Sequence, residues 1–229
     1  MLAVFENRLA PLTYALGFLN AKAHEVTEAI TRFLAGAPNV PTKVTQLTGS
    51  LEENLLHLQP LTIGGPPLLV TSTKLDGWSA IFDGHAQGQG VENRVSHMAT
   101  IMNIRGYFFA SVSPAAGPTH PLGGRHFHVL GPEAKFGQVR VVNLIENNPG
   151  KWVFELSGEP HPYEDLDVYN KRRKADRLTN DMLLEYSTSV GLHPWDENFY
   201  QNPSYLITNQ QPKIRQYTLT EARKKLKLE

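Results

Sequence analysis

The clearest hydrophobic pattern in this chain is helical and lies near its middle. Between Val91 and Asn103 the apolar positions fall at i, i+4, i+7 and i+11, and they are Val91, Val95, Met98 and Met102. This spacing puts the four side chains on one stripe of a helix, with polar side chains around the rest of the surface. The pattern therefore predicts a helix over 91–103 that packs its apolar stripe against a sheet.

Helical spacing also marks the N-terminal third. Residues 21–35 carry apolar side chains three or four positions apart, namely Ala23, Val26, Ile30, Phe33 and Leu34. Ser50 and Glu53 form a capping-box pattern ahead of leucines at 55, 56 and 58. We therefore expect residues 1–60 to be a largely helical segment, which forms one compact unit with an α+β domain over 61–229.

Six runs rich in β-branched and aromatic residues follow. They cover residues 68–72, 78–82, 107–112, 125–130, 139–145 and 152–156. Turn residues separate neighbouring runs, for example Asp76 with Gly77 and the Asn-Asn-Pro-Gly sequence at 147–150. Connections this short favour antiparallel pairing, because a parallel crossover needs about a dozen residues or more. The predicted fold class is α+β, with an antiparallel sheet of five to six strands flanked by helices.

The final third of the chain returns to helical patterns. Apolar spacing predicts helices over 163–176 and 179–190, and a short basic helix near 220–227. Between the last two, residues 195–200 predict an aromatic loop. We expect this C-terminal helical part to pack on the sheet.

Charge disfavours some classes of partner. The 22 Lys and Arg residues balance 22 Asp and Glu residues, so no net field draws the chain onto nucleic acid or an anionic membrane. The basic run at 171–174 is flanked by acidic residues, and the run at 223–225 lies toward the end of a predicted helix, where cations offset the helix dipole. We therefore do not expect nucleic acid as a partner.

Composition and the first residues bear on compartment. With 41% hydrophobic residues the chain lies in the globular range, and its lack of cysteine excludes disulfides and thiolate chemistry. Glu6, Arg8 and Pro11 interrupt the apolar start well before the roughly 20 residues that a membrane span needs. We expect a cytoplasmic protein without a membrane-spanning helix.

The most suggestive chemistry is His126-Phe127-His128 followed by Glu133, with His120 just upstream. Residues i and i+2 of a strand point to the same face, so two imidazoles and a carboxylate could present themselves to one divalent transition metal. The run resembles the His-x-His…Glu part of the first cupin motif, although its flanking glycines fall elsewhere and a second motif is missing. A metal-dependent cupin-like enzyme is thus one hypothesis, and two solvent-facing histidines on an antiparallel strand without any metal are the other.

Other catalytic motifs are incomplete. Gly88 and Gly90 lie between a predicted strand and a helix, but Asn93 stands where a dinucleotide fingerprint needs its third glycine. His24 begins a zincin-like run whose fifth position is Glu28 instead of a second histidine. The sequence therefore indicates no intact catalytic site.

Trp195 in the predicted loop stands beside the acidic residues Asp196 and Glu197, and Asp83 ends an aromatic-rich run. Aromatic side chains with charged neighbours suit protein interfaces. We therefore predict that these four residues bind a protein partner.

Four stretches together resemble a group of uncharacterised bacterial cytoplasmic proteins over about residues 70–200. They are GWSAIFD at 77–83, FHVLGP at 127–132, KWVFELSG at 151–158 and the segment 173–186. The organisation is also similar to that of some bacterial immunity proteins, which bind and neutralise a cognate toxin. This resemblance implies a non-catalytic protein-binding module without a cofactor, and it assigns no residue. The oligomeric state stays open.

Overall fold

The computed structural model of this chain is built around one large antiparallel sheet. It describes residues 2–36, 41–112, 123–134, 137–209 and 214–228. In chain order the strands are β1 (Ala15–Leu19), β2 (Thr42–Leu47), β3 (Leu61–Thr62), β4 (Leu68–Thr73), β5 (Ser79–Asp83), β6 (Gly106–Val112), β7 (Gly124–Leu130), β8 (Gln138–Asn148), β9 (Lys151–Ser157), β10 (Tyr200–Asn209) and β11 (Gln216–Tyr217). The helices are α1 (Ala23–Ala35), α2 (Leu51–Leu56), α3 (Val91–Met102), α4 (Asn180–Ser189) and α5 (Leu219–Lys225).

Nine of these strands make the main sheet, in the order β2-β10-β4-β5-β1-β6-β7-β8-β9. The last four strands of that order form a meander in which each strand pairs with the next one along the chain. β1 lies in the middle, between β5 and β6, and β10 inserts between β2 and β4. β3 and β11 pair separately as a small two-stranded sheet.

Two helices cover one face of the sheet. α1 lies against β10 and β4, and α3 lies against β1 and β6. A Cβ atom on Gly17 of β1 would come within 2.3 Å of Cγ2 of Val95, so glycine is what allows α3 to approach this closely. The predicted stripe of α3 meets the sheet as expected, with Val91, Val95 and Met98 buried and Met102 half-buried.

The opposite face carries the larger core. Its centre is a set of fully buried aromatic side chains, Phe18, Phe82, Phe109, Phe127 and Tyr186. Residues from the N-terminal segment, α2, α4 and the C-terminal third pack over them. Rings of this size gain most from burial, which explains why the aromatic-rich strands lie at the centre of the sheet.

The six predicted strands are confirmed, but the predicted count of five to six is wrong because β1, β2 and β10 also join the sheet. All five residues of β1 are buried, so its sequence lacks the alternation that marks a half-exposed strand. β2 is a polar edge strand, and β10 contains Pro203 and a register shift after Gln201. The expectation of a largely helical segment over 1–60 is wrong for the same reason, since β1 and β2 lie within it alongside α1 and α2.

The predicted helix over 163–176 is also wrong. This part is irregular, with short 3-10 turns at Val168–Asn170 and Lys174–Asp176. It is anchored by Glu164, whose side chain is buried against Arg140 of β8 and accepts a hydrogen bond from the hydroxyl of Tyr169. These tertiary contacts stabilise the irregular backbone, although the local spacing of apolar residues favours a helix. The predicted helix at 179–190 and the short basic helix are confirmed as α4 and α5.

Candidate functional site

Asp83 lies at the end of β5 and is only 2% exposed, which contradicts its predicted place on a partner-binding surface. Its Oδ1 accepts a hydrogen bond from the backbone N–H of His85 at 3.1 Å. Its Oδ2 has no partner among the described residues and lies against Gly90 at the start of α3. Burial raises the pKa of Asp83 to about 6. Asp83 is therefore a buried acid beneath a helix.

Trp195, Asp196 and Glu197 do form a loop, on the face of the sheet opposite α1 and α3. The Trp195 ring is half-buried, edge-on to Phe109 with centroids 5.9 Å apart. Asp196 and Glu197 are exposed, and Asp196 Oδ1 accepts a hydrogen bond from the backbone N–H of Asn198 at 2.9 Å. The aromatic ring thus belongs largely to the core. Partner binding by this loop stays a prediction.

The histidine strand is β7, and its two imidazoles meet one side chain of β8. Asn143 stands opposite His126 in the register. Its Oδ1 lies 2.8 Å from Nδ1 of His126 and 2.7 Å from Nε2 of His128. Because an amide oxygen only accepts hydrogen bonds, both of these ring nitrogens carry protons. Asn143 therefore sets the orientation and tautomer of the pair.

Glu133 does not join the histidines. It forms an ion pair with Arg105 instead. Within the described ranges, no group of three His, Cys, Asp or Glu side chains is arranged to hold a metal ion, and His120 lies outside those ranges. The expected set of His126, His128 and Glu133 is thus not brought together.

A different carboxylate, from α3, reaches the pair. Oε1 of Glu92 lies 3.0 Å from Nδ1 of the buried His128, a distance at which the two groups form an ion pair when His128 is protonated. The amide of Gln138 also donates to this oxygen, at 3.4 Å. The proximity of His128 is the main reason why the pKa of Glu92 is lowered, which keeps the carboxylate ionised.

His126 is the member of the group with an unused atom. Burial is the largest influence on this imidazole and lowers its pKa, against the opposing effect of the Asn143 hydrogen bond. The ring is therefore neutral at pH 7, with its proton on Nδ1. Among the described residues Nε2 accepts no hydrogen bond, and it lies beside Gly124 of the same strand.

His126 and Glu92 line a cleft of about 500 Å³. The remaining wall is Tyr14, Ala15, Gln87, Gly88, Gln89, Phe108, Ala110, Val112 and Ile145. Clefts of this size with mostly apolar walls and a few convergent polar groups are typical of binding sites. Glu92 and Asn143 escaped sequence reasoning because Glu92 reads as the polar side of an amphipathic helix. The signal for Asn143 is its register position opposite His126, which the β7–β8 pairing reveals.

A larger cleft of about 840 Å³ runs along α3 and is bordered by Phe33 of α1 and by the segments that follow β3 and β5. Phe33 and His97 meet there edge to face, with ring centroids 4.4 Å apart. Asp83 borders this cleft, but its unpartnered oxygen is covered by Gly90 and is closed to solvent. Asp83 therefore offers no accessible carboxylate oxygen Oδ2 to this cleft.

Comparisons with known proteins add no assignment to this site. In the described part of the chain, none of the helices has the length and apolar character needed to cross a membrane. No protein-family model matches the sequence, and comparison with curated proteins and with solved structures finds no match.

Proposed function

We propose that this chain is a non-catalytic protein-binding module, and that its partner binds the exposed part of the sheet over β8 and β9. A toxin is the class of partner that the sequence organisation suggests. The observation that carries the proposal is the surface beyond α3, where Ile145 and Val153 are half-buried beside Asn143 and the exposed Glu155.

The composition of this surface supports binding. Ile145 and Val153 stand opposite each other on neighbouring strands, and Asn143 and Glu155 form the next pair on the same face. Solvent-facing strand positions are usually polar, so an apolar pair with polar neighbours is typical of an interface centre with a polar rim.

The state of the histidines supports binding over metal-dependent catalysis. Nδ1 of His126 and Nε2 of His128 both direct their protons to Asn143, and the ring of His128 is buried. These two nitrogens would have to break their hydrogen bonds to coordinate a metal, and the predicted third ligand, Glu133, is paired with Arg105.

The proposal is tested by native mass spectrometry of the chain gently purified from its native host. We expect a complex of increased mass that contains one protein partner. The variants Ile145→Lys and Val153→Lys should weaken that complex because they put charge at the interface centre.

Val44→Lys is the matched control, since Val44 is 41% exposed on β2, the strand at the other edge of the sheet. It should keep the complex, and circular dichroism should show all three variants folded. The proposal fails if no partner accompanies the chain, or if the two sheet variants bind as well as the control.

A further inference from the structure

His126 and Glu92 bring hydrogen-bond acceptors to one part of the cleft, whose wall also contains the amides of Gln87 and Gln89. Nε2 of His126 accepts only, and the Glu92 carboxylate is ionised and uses Oε1 alone among the described residues. Glu155, opposite Asn143 on β9, adds a second carboxylate on the exposed side. The cleft is therefore suited to a ligand that donates hydrogen bonds.

The charges around the cleft also favour a ligand that donates hydrogen bonds. Among the described residues, its wall contains one charged side chain, Glu92, and neither Lys nor Arg. The first turn of α3 contributes a partial positive charge of about one half, which the full negative charge of Glu92 exceeds. His128, which stands beside Glu92, lies outside this wall, and among the described residues Oε2 of Glu92 has no partner, so this oxygen is complementary to a cationic ligand.

The shape of the cleft favours one kind of cation, a guanidinium group on an apolar stem. Phe108, Ala110 and Val112 form an apolar side of the cleft on β6, and the polar atoms of His126 and Glu92 border it. A guanidinium group has a planar fork of donors that can reach a carboxylate and an imidazole nitrogen together, while its three-carbon stem covers apolar surface.

We infer that an arginine side chain of the bound protein enters this cleft, with its guanidinium between Glu92 and Nε2 of His126 and its stem against Phe108. This inference rests on the proposed function, because it names the chemistry of the partner at that same surface. It assigns His126 a role as a neutral acceptor, which Asn143 maintains by holding the ring proton on Nδ1.

The test uses n-butylguanidinium as the probe and n-butylurea as its uncharged isostere, with the ¹⁵N-labelled full chain. Each compound is titrated to on the order of 100 mM at constant ionic strength, because fragments of this size bind weakly. Long-range ¹H–¹⁵N spectra follow the imidazole nitrogens of His126. We expect the guanidinium to move the Nε2 resonance and to bind about tenfold more tightly than the urea, as a charge-assisted hydrogen bond would require.

Two variants with the same chemical change locate the charge that matters. Glu92→Gln should reduce the preference for the guanidinium to less than about twofold, since the cleft then lacks its carboxylate. Glu133→Gln removes an equal charge outside the cleft and should leave the preference intact. The inference is overturned if the urea binds as well as the guanidinium, if the His126 resonance stays still, or if both variants behave alike.

These results are separable from the test of the proposed function. If the protein complex survives Glu92→Gln and the cleft binds the guanidinium no better than the urea, the arginine inference is overturned and the proposed binding module is not. A cleft that prefers the guanidinium in a chain that finds no protein partner would overturn the proposed function and leave a site for a small cation.

Discussion

Replacing Asp83 by asparagine should change how the stability of this protein depends on pH. Asp83 is buried, and its Oδ2 faces Gly90 and has no partner among the described residues, so the carboxylate form is poorly solvated. Asparagine keeps the acceptor that receives the backbone N–H of His85, and it has nearly the same shape. The substitution therefore removes the buried charge while it preserves the local hydrogen bond.

The magnitude follows from the pKa of Asp83, which burial raises from an ordinary 3.8 to about 6. A raised carboxyl pKa means that the native state binds the proton more tightly than the unfolded chain does. The free energy of unfolding therefore falls as the pH rises through the window from 3.8 to 6, and the full cost of about 3 kcal/mol is present above it. Asparagine avoids this cost but buries an amide N–H, which costs about 1–3 kcal/mol if it stays unpaired.

The quantity to measure is therefore the difference in unfolding free energy between Asp83→Asn and the wild type. Relative to the wild type, Asp83→Asn should gain about 2 kcal/mol of unfolding free energy between pH 4 and pH 7. Urea unfolding followed by circular dichroism at pH 4, 5, 6 and 7 measures this directly. Asp76→Asn, in an exposed turn, is the control and should run parallel to the wild type. A constant difference between Asp83→Asn and wild type across this range would refute the reasoning.

Two further predictions concern packing and buried charge. Glu164→Ala should lower the free energy of unfolding in urea by about 3–5 kcal/mol, because it leaves the buried guanidinium of Arg140 without its carboxylate. The control Asp176→Ala, in an exposed pair, should lower it by under about 1 kcal/mol. Equal losses in the two variants would contradict this prediction. Gly17→Ala should cost about 1–3 kcal/mol, since its Cβ would lie 2.3 Å from Val95 on α3. Adding Val95→Ala should recover part of that loss in a double-mutant cycle, and simple additivity would argue against the clash.

Elements with a strong local period were predictable from the sequence alone. The stripe of α3 repeats at helical spacing, and the capping box of Ser50 and Glu53 forms as its pattern indicated, with reciprocal hydrogen bonds at the start of α2. The six aromatic and β-branched runs became strands, and short turns join β4 to β5 and β8 to β9. In these segments the residues that decide the structure are close together in the sequence.

The strands that the sequence did not reveal depend on distant partners. β10 pairs with β4 across about 130 residues, as the register of Leu206 with Leu69 shows, and β1 is held between β5 and β6. A strand buried on both faces, such as β1, has no polar side to produce alternation. Its apolar run is equally consistent with a buried helix until the neighbouring strands are known.

The candidate site shows the same division. The sequence by itself determined that His126 and His128 share a strand and a face, because alternation along a strand is a local property. Tertiary structure alone decided that Asn143 stands opposite His126, that α3 brings Glu92 to His128, and that Glu133 pairs with Arg105 instead. Strand register and helix placement are set by the packing of the whole core, so the neighbours of a side chain across the sheet follow from the fold and not from its own segment.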